Sequence, residues 1–351
     1  MYDISPQQAL ILSNYASRYP KVLILLHVKF FGPFPVGAFL HYLFDLVVKR
    51  LSPEILTPRG GATSLLTMLR SYLVRSFSTL GMPTAAVVPP GMCCIPEEWV
   101  SLPLIKTTKI TQDVRVFKFA TPHPAEPLNL STCSCVLAST LSKTSGELIV
   151  RPYTPISTNE LLGSFDLMVK IYPDGEMSQR MSKLEPGDLL DFKHIPFNVK
   201  QQYPFQKRRI GMIAGGTGLT PMIQALHAIL GTPGDETKVE LIYGAKTKED
   251  LINLVDWEKR SNGRLKVHPV LSDEPHDSEW SGDRGFIDED LLFRIFQSEC
   301  KICPEDDDAS IWVCGPKGML DSLCGPRTET ELQEGTVLAD MGYNDGQIYK
   351  F

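Results

Sequence analysis

The sequence predicts a small antiparallel β barrel followed by an open α/β domain, with an N-terminal extension before both. Three observations lead to this fold class. Short alternating β-type runs begin near Ser101 and continue without long helices between them, which is typical of a small barrel. After Gln206, apolar strands alternate with helices, which is typical of a parallel sheet covered on both faces. The extension differs in composition, since residues 55–96 contain no Asp, Glu or Lys.

The overall composition is that of an ordinary globular protein. Hydrophobic residues make up 43% of the 351 residues, and the formal net charge of −6 argues against a general nucleic-acid-binding protein. Eight cysteines in this length do not suggest a disulfide framework. Only Cys300 and Cys303 have CxxC spacing, and no second CxxC or CxxH follows, so we expect reduced thiols and no zinc site.

Within the extension, residues 68–82 read MLRSYLVRSFSTLGM and predict an amphipathic helix. Its apolar face carries Leu69, Tyr72, Leu73, Phe77 and Leu80. A segment rich in Arg and Ser without acidic residues is typical of a mitochondrial transit peptide. Such a signal belongs at an N-terminus, which leads to the hypothesis that Met68 is the true start. A surface helix without targeting information is the alternative.

Residues 22–44 are apolar enough to suggest membrane contact. Lys29 interrupts them, and the longest uncharged piece, residues 30–44, contains Gly, Pro and His. A spanning helix needs about 20 apolar residues, so we expect peripheral membrane association rather than a span. The extension therefore predicts a mitochondrial, membrane-associated protein, with the endoplasmic reticulum membrane or the cytoplasm as alternatives.

The individual elements follow from the same patterns. Barrel strands are predicted in IKTTKITQDVRVFKFAT, CSCVLAS, GELIVRPYT, SFDLMVKIY and DLLDFKH, and the helix MSQRMSKL interrupts them from about Ser178. In the α/β domain, strands are predicted in RIGMIAG, KVELIYG, LKVHPVL and SIWVCG. Helices are predicted in TPMIQALHAIL, KEDLINLVDWEKR, FIDEDLLFRIFQ and PKGMLDSLC. Ligands of such sheets bind at the carboxyl ends of strands, so residues 215–220, 243–247 and 314–319 are the candidate binding segments.

Three motifs indicate a cofactor. In RPYTP, Arg151 suits phosphate oxygens, and Tyr153 on the same face of the strand offers a ring to a flat heteroaromatic group. In DGEMS, free backbone N–H groups at a helix start, with Ser178 as the cap, predict an anion site. In GMIAGGTGLTPM, glycines let the backbone approach a ligand before a helix that begins near Thr220-Pro221. The alternatives are an exposed arginine beside a core tyrosine, a plain capped helix and a tight turn without a ligand.

In order and spacing, RPYTPIS, MVKIY, GEMS, GMIAGGTGLTPM and CGPKGM resemble the NADH–cytochrome b5 reductase branch of the ferredoxin–NADP reductase-like flavoproteins. The resemblance extends from about Leu102 to Phe351. It implies an FAD-binding six-stranded antiparallel barrel at residues 101–206 and a Rossmann-like NAD-binding domain at residues 207–351, after the extension at residues 1–100.

For FAD, the resemblance implies that Arg151 holds the pyrophosphate and that Tyr153 packs on the isoalloxazine. Thr154 would lie by the ring nitrogen that accepts hydride. Gly175, Met177 and Ser178 would complete the phosphate site.

For NADH, the resemblance implies that Thr217 lies close to both rings and that Cys314 lies near the reactive carbon of the nicotinamide. The candidate catalytic residues are therefore Thr154, Thr217 and Cys314. Lys170 would contribute to NADH binding, and the Asp250 carboxylate would hydrogen-bond ribose hydroxyls and repel a 2′-phosphate, which favours NADH over NADPH. Lys246 and Lys248 weaken this preference. The other candidate cofactor-binding residues are Pro152, Val169, Tyr172, Gly215, Gly216, Thr220, Pro221, Gly315, Pro316, Met319 and Phe351.

The sequence departs from the family pattern at three places. Lys317 in CGPKG replaces a proline of the usual CGPPP tract. Residues 193–198 replace the usual Arg-Gly-Pro-x-Gly turn, which puts the adenine contacts there in doubt. Glu176 adds negative charge beside the expected phosphate site.

The implied reaction is hydride transfer from NADH to FAD, followed by single-electron transfer to a cytochrome b5-type haem protein. The chain contains neither a His-Pro-Gly-Gly haem motif nor an iron–sulfur run, so we expect the acceptor on another molecule. We expect the reductase to be a monomer. Five basic residues could form the docking face for an acidic acceptor, with a solvated basic loop as the alternative. They are Lys193, Lys200, Lys207, Arg208 and Arg209. The alternative functions are an NADPH-dependent flavoprotein reductase of another acceptor and a non-catalytic protein that retains the fold.

Overall fold

The computed structural model describes Val88 and residues 91–199, 201–299 and 301–351. All of them belong to one compact unit of the chain. The predictions for residues 22–44, residues 68–82 and Met68 lie outside the described residues. In the described part of the chain, no helix combines the length and the apolar character needed to cross a bilayer.

The first domain is a six-stranded antiparallel sheet, as predicted. Its strands are β1 (Val100–Lys109), β2 (Val114–Ala120), β3 (Ser134–Leu141), β4 (Leu148–Tyr153), β5 (Ser164–Lys170) and β6 (Leu189–Val199). They are hydrogen-bonded in the order β4-β3-β6-β1-β2-β5. The chain after β4 closes the barrel, because Pro155 forms a bridge with Leu167 of β5 and the Ile156 N–H donates to the Asp166 carbonyl at 2.8 Å.

The interior of this barrel is filled by the apolar residues that alternate along its strands. Phe119 and Phe165 lie on one side of Phe192 with ring centroids 4.8 and 5.3 Å from it, in edge-to-face contact. Helix α1 (Glu176–Ser182) lies between β5 and β6 and buries Met177 and Met181 in the same core. The helix therefore begins two residues before the predicted start at Ser178.

The second domain contains a six-stranded parallel sheet in the order β10-β9-β8-β7-β11-β12. Its strands are β7 (Arg209–Gly215), β8 (Lys238–Ala245), β9 (Leu265–Leu271), β10 (Asp283–Arg284), β11 (Ala309–Cys314) and β12 (Ile348–Lys350). Its α-helices are α2 (Leu219–Gly231), α3 (Val255–Arg260), α4 (Glu289–Leu292), α5 (Lys317–Leu323) and α6 (Val337–Asp340). The predicted Rossmann-like architecture is confirmed, whereas the short strands β10 and β12 escaped the sequence prediction.

Two predicted helices are shorter than expected. The segment predicted at residues 248–260 forms a 3-10 turn (Lys248–Asp250) and then α3, because Thr247 and Asp250 cap the turn reciprocally and Leu251 leaves it with an extended backbone. The segment predicted at residues 286–297 contains α4 followed by a π-helical turn (Phe293–Gln297).

The two domains share an apolar interface. Val114, Cys133 and Met168 of the barrel are buried in one cluster with Met222 and Ile223 of α2. This contact turns the carboxyl ends of β7, β8 and β11 toward the ends of β4 and β5, where the barrel motifs lie.

The cysteines differ in part from the prediction. Cys303 is disulfide-bonded, so the expectation of reduced thiols is wrong at this residue, while the other cysteines among the described residues form no disulfide. Within the described ranges, no group of three or more His, Cys, Asp or Glu side chains could hold a metal ion.

Candidate active site

One large cleft lies between the barrel and the parallel sheet. Its volume is about 1340 Å³, and every residue named above as a candidate catalytic or cofactor-binding residue lines it. The barrel contributes the ends of β4 and β5 and the start of α1, and the α/β domain contributes the carboxyl ends of β7, β8 and β11. The structure thus brings together motifs that lie far apart in the chain, and the role of each residue stays a prediction.

The barrel wall offers a cation and two aromatic rings. Arg151 is exposed on β4, and its Nη1 donates to the Val150 carbonyl at 2.8 Å. Tyr153 is half-buried on the same wall, and burial raises its pKa to about 12 despite the nearby Arg151 cation. Tyr172 is 49% exposed and stands at the end of β5. A flat ring system and an anionic group can therefore bind side by side on this wall.

The turn before α1 is built differently from the prediction. Ser178 is not the helix cap, because Gly175 occupies that position without a side-chain cap. The Ser178 hydroxyl instead donates to the Gly175 carbonyl at 2.9 Å and accepts from the Tyr172 N–H at 3.1 Å. The free N–H groups of the first helical turn, rather than the hydroxyl, are thus the available anion donors.

Two charged residues of this wall are held by neighbours. Glu176 accepts a hydrogen bond from Ser142 Oγ at 2.8 Å, which fixes its carboxylate toward the loop between β3 and β4. Lys170 Nζ lies 2.7 Å from Asp113 Oδ2, so it is an ion-paired lysine rather than a solvated one. Both pairs limit how these charges can act on a ligand.

The glycine loop lies directly against the end of β11. Gly216 has a φ of +54°, which favours glycine, and a Cβ there would meet nothing within 4 Å, so open space reaches the main chain. A Cβ on Gly218 would overlap the Cys314 carbonyl, with the carbonyl carbon 2.5 Å away. This close approach brings the glycine loop, which carries Thr217, beside Cys314. The Thr220 hydroxyl donates to the Thr217 carbonyl at 3.1 Å and stabilises the turn as α2 begins at Leu219.

Cys314 is buried at the last position of β11. The turn that follows packs on the glycine loop, because a Cβ on Gly215 would lie 2.8 Å from both Met319 Sδ and Pro316 Cδ. Any side chain at this position would therefore separate the two loops.

The far end of the cleft contains Asp250 and an aromatic side chain that sequence reasoning missed. Asp250 Oδ2 accepts from the Thr247 N–H and hydroxyl, each at 3.2 Å. Phe286 lines the cleft and is 82% exposed. Its ring can stack on a heteroaromatic group bound over β8 and β9. Asp113 and Arg327 were also missed; Arg327 reaches the cleft from the loop after α5 and donates to the Gly315 carbonyl at 2.9 Å.

The described basic residues of the predicted docking face lie on two different elements of the fold. Residues 207–209 lie at the amino end of β7, opposite the end that carries Gly215. There Arg209 is ion-paired with Asp306, and Lys207 donates to the Asp307 carbonyl. Lys193 lies on the barrel with its Nζ 5.2 Å from the Trp99 ring centre, and Lys200 lies outside the described residues. The geometry gives no support to a docking face made by these residues together.

Comparisons with known proteins agree with this architecture. The family model "Oxidoreductase FAD-binding domain" matches residues 101–196, and the model "Oxidoreductase NAD-binding domain" matches residues 212–325. A curated relative from Arabidopsis thaliana, "NADH-cytochrome b5 reductase-like protein", is 34% identical over 265 residues, which cover 73% of this chain and 77% of the relative. "NADH-cytochrome b5 reductase 2" of Neurospora crassa is also 34% identical, over 73% of this chain and 74% of its own. Among solved structures, the cytochrome b5 reductase domain of Ulva prolifera nitrate reductase matches with a TM-score of 0.61 and 31% identity, covering 73% of this chain and 98% of that domain.

Proposed function

Because this chain belongs to the NADH–cytochrome b5 reductase family, we propose that it transfers hydride from NADH to FAD and then passes single electrons to a cytochrome b5-type haem protein. One observation carries the proposal. A single cleft joins the barrel wall of Arg151 and Tyr153 to the loop ends that carry Thr217 and Cys314. A hydride donor and a hydride acceptor can therefore meet there.

The residues of the cleft fit both cofactors. The open main chain at Gly216 admits a ligand to the end of β7, and the rings of Tyr153 and Tyr172 suit an isoalloxazine. The exposed Arg151 and the N–H groups at the start of α1 suit a pyrophosphate.

The protein's contribution is binding and alignment. FAD, when bound, supplies the centre that accepts a two-electron hydride and releases electrons one at a time. Tyr153 orients the ring against the barrel, and Arg151 offsets phosphate charge. Thr217 and Cys314, which line the same cleft, hold the nicotinamide side of NADH. The hydride step needs no general base, so the main contribution of these residues is to bring the reacting groups into contact.

We also propose that the protein prefers NADH to NADPH. The Asp250 carboxylate at the far end of the cleft supports this, because it would repel a 2′-phosphate and accept hydrogen bonds from ribose hydroxyls. Lys246 also lines this end of the cleft and acts in the opposite direction.

The test is steady-state oxidation of NADH and NADPH by the purified full-length protein, with ferricyanide or cytochrome b5 as the acceptor. We expect a yellow protein that oxidises NADH with both acceptors and oxidises NADPH much more slowly. A clear NADPH preference would support the alternative reductase. A colourless protein that FAD cannot reconstitute would support the non-catalytic alternative.

For location, we propose a mitochondrial protein that associates peripherally with a membrane and is a monomer. The composition of residues 68–82 and the apolar residues 22–44 support the first two points. N-terminal sequencing of the mature protein from fractionated cells tests the location, and a mature chain that retains Met1 would argue against the start at Met68. Light scattering of the purified protein tests the monomer. Recovery from the endoplasmic reticulum or the cytoplasm would favour the alternatives.

A further inference from the structure

Two lysine–aspartate ion pairs connect strands β2 and β5 of the barrel. At one end of the strand pair, Lys118 Nζ of β2 lies 2.7 Å from Asp166 Oδ1 of β5. At the other end, Lys170 Nζ, at the last residue of β5, lies 2.7 Å from Oδ2 of Asp113, which immediately precedes β2. Both pairs are partly exposed, so each should contribute a similar and small amount to the stability of the barrel.

The two pairs differ in their position relative to the cleft. Asp113 and Lys170 both line it, whereas Lys118 and Asp166 are not among the described residues that do so. The carboxylate at the cleft is also held by a second group, because the Thr111 hydroxyl donates to Asp113 Oδ1 at 3.2 Å. Each oxygen of Asp113 thus has its own partner, and a fixed negative charge lies where we expect the coenzyme.

This carboxylate decides how much positive charge Lys170 presents to a ligand. The Lys170 side chain is 17% exposed, so solvent and salt screen its charge less than that of a surface lysine. Two opposite charges 2.7 Å apart nearly cancel at the distance of a third group. Coenzymes are polyanions, so the paired lysine attracts their phosphates less than a lone lysine would.

A second carboxylate acts on the same part of the cleft. Asp250 lines it from the α/β domain, and Asp113 lines it from the barrel. The pKa of Tyr243, near the end of β8, is raised to about 12, first by burial and then by the carboxylates of Asp250 and Asp113. Acidic groups from both domains therefore act on one buried ring of the cleft wall.

We propose that Asp113 is a coenzyme-discriminating residue, whose carboxylate neutralises Lys170 and thereby disfavours the additional phosphate of NADPH. This inference rests on the proposed function. A phosphate monoester carries about 1.5 to 2 negative charges at pH 7, so NADPH loses more attraction than NADH when the cation is neutralised. Asp250 repels the 2′-phosphate directly, whereas Asp113 withholds a cation from it.

The test compares Asp113→Asn with Asp113→Glu and with Asp166→Asn in the full-length protein. Asn keeps an oxygen for the Thr111 hydroxyl but removes the charge, whereas Glu retains the charge. Asp166→Asn is the matched control, because it removes the same charge from the same strand pair outside the cleft.

The readouts are FAD content, melting temperature, and kcat/KM with NADH and with NADPH at low and high salt. Calorimetric titration with ADP-ribose and with its 2′-phosphate measures binding without turnover. These two probes lack the nicotinamide and differ from each other only in the phosphate at issue.

In Asp113→Asn, kcat/KM should rise about tenfold for NADPH and less than about threefold for NADH. The Kd of 2′-phosphorylated ADP-ribose should fall more than that of ADP-ribose, and salt should reduce both gains because it screens the released charge. Asp113→Glu and Asp166→Asn should keep the preference of the parent protein. All three variants should keep FAD and melt within about 3 °C of the parent.

Equal changes with both coenzymes in Asp113→Asn would overturn the inference while leaving the proposed function intact. The same shift of preference in Asp166→Asn would also overturn it, because the overall charge of the protein would then be the cause. Loss of FAD or of melting temperature confined to Asp113→Asn would overturn it too, since the pair would then be structural. A parent protein that fails to oxidise NADH, or that prefers NADPH, would instead refute the proposed function.

Discussion

Replacing Gly218 by alanine tests whether the close approach of two loops shapes the end of the cleft where we expect the nicotinamide. Gly218 has φ −59° and ψ −8°, which any residue adopts, so its backbone conformation does not require glycine. The space around it does. An added Cβ would overlap the Cys314 carbonyl, and it would lie 2.5 Å from the carbonyl carbon and 2.8 Å from the Gly315 nitrogen. These are main-chain atoms, so no change of side-chain rotamer relieves the overlap.

The size of the effect follows from these distances. Carbon atoms that are not bonded prefer separations of about 3.5–4.0 Å, so the two loops must move apart by about 1 Å. Overpacking of this kind costs about 1–3 kcal/mol, and each kcal/mol lowers the melting temperature of a protein this large by about 2–4 °C. The same displacement should slow the hydride step by about 10- to 100-fold.

The assay is stopped-flow reduction of FAD by NADH, together with FAD content and melting temperature. Gly218→Ala should retain FAD, because the expected FAD contacts lie on the barrel, while its rate of reduction falls. Gly231→Ala, at the end of α2, is the matched control, since a Cβ there would meet nothing within 4 Å. A Gly218→Ala protein with parent-like melting and reduction would refute the argument that the loops touch.

Three further predictions concern the remaining parts of the cleft and the barrel core. Phe286→Ala should raise the KM for NADH several-fold with little change in kcat, because the exposed ring is the expected stacking surface. The control is Phe293→Ala, which removes an exposed ring outside the cleft and should leave KM unchanged. An equal change of KM in both variants would contradict a stacking role for Phe286. Asp250→Ser should reduce the preference for NADH over NADPH about tenfold, because it removes the carboxylate but keeps an oxygen for the capped turn. An equal loss of kcat/KM with both coenzymes would argue against a role of Asp250 in discrimination. His194 is the third case: burial lowers its pKa, and both ring nitrogens are buried without a partner among the described residues. The unfolded chain therefore binds more protons than the folded protein below about pH 6.5, so the free energy of unfolding falls on acidification. Between pH 7.5 and pH 5.5, urea unfolding should show a smaller fall in the free energy of unfolding for His194→Leu than for the parent protein. An equal fall in both proteins would refute this prediction.

Much of the fold could be predicted from local patterns in the sequence. The alternating runs of the barrel and the apolar strand of β7 bury the residues that their periodicity predicts. The glycine loop and the CGPKG turn could be placed at one cleft because parallel strands present their carboxyl ends at one edge.

The failures arose where side chains compete locally for main-chain partners. Ser178 has the chemistry of a helix cap, but its hydroxyl bonds to Gly175 and Tyr172 inside the preceding turn. The helix expected from Lys248 breaks after three residues, because Thr247 and Asp250 close that turn on themselves. Composition and periodicity do not predict which main-chain group each of these side chains will bind.

Other residues were misjudged from the sequence because their surroundings depend on the order of strands in the sheet. Phe286 follows a strand of only two residues, and nothing near it in sequence marks a binding site. It reaches the cleft because β10 is the edge strand beside β9. Likewise, the basic side chains of residues 207–209 looked available in sequence, whereas Arg209 is ion-paired with Asp306, which lies in the turn before β11.

The order of strands in the parallel sheet also divides the coenzyme site into two separately encoded halves. The part of the cleft at Thr217 and Cys314 is built by β7 and β11, which are neighbours in the sheet but are separated in the sequence by a long segment. This segment, which contains β8, β9 and β10, carries Asp250 and Phe286. The residues of this segment proposed to discriminate between coenzymes can thus be exchanged as one block, for example by grafting residues 245–287 from a related reductase, without rebuilding the proposed site of hydride transfer.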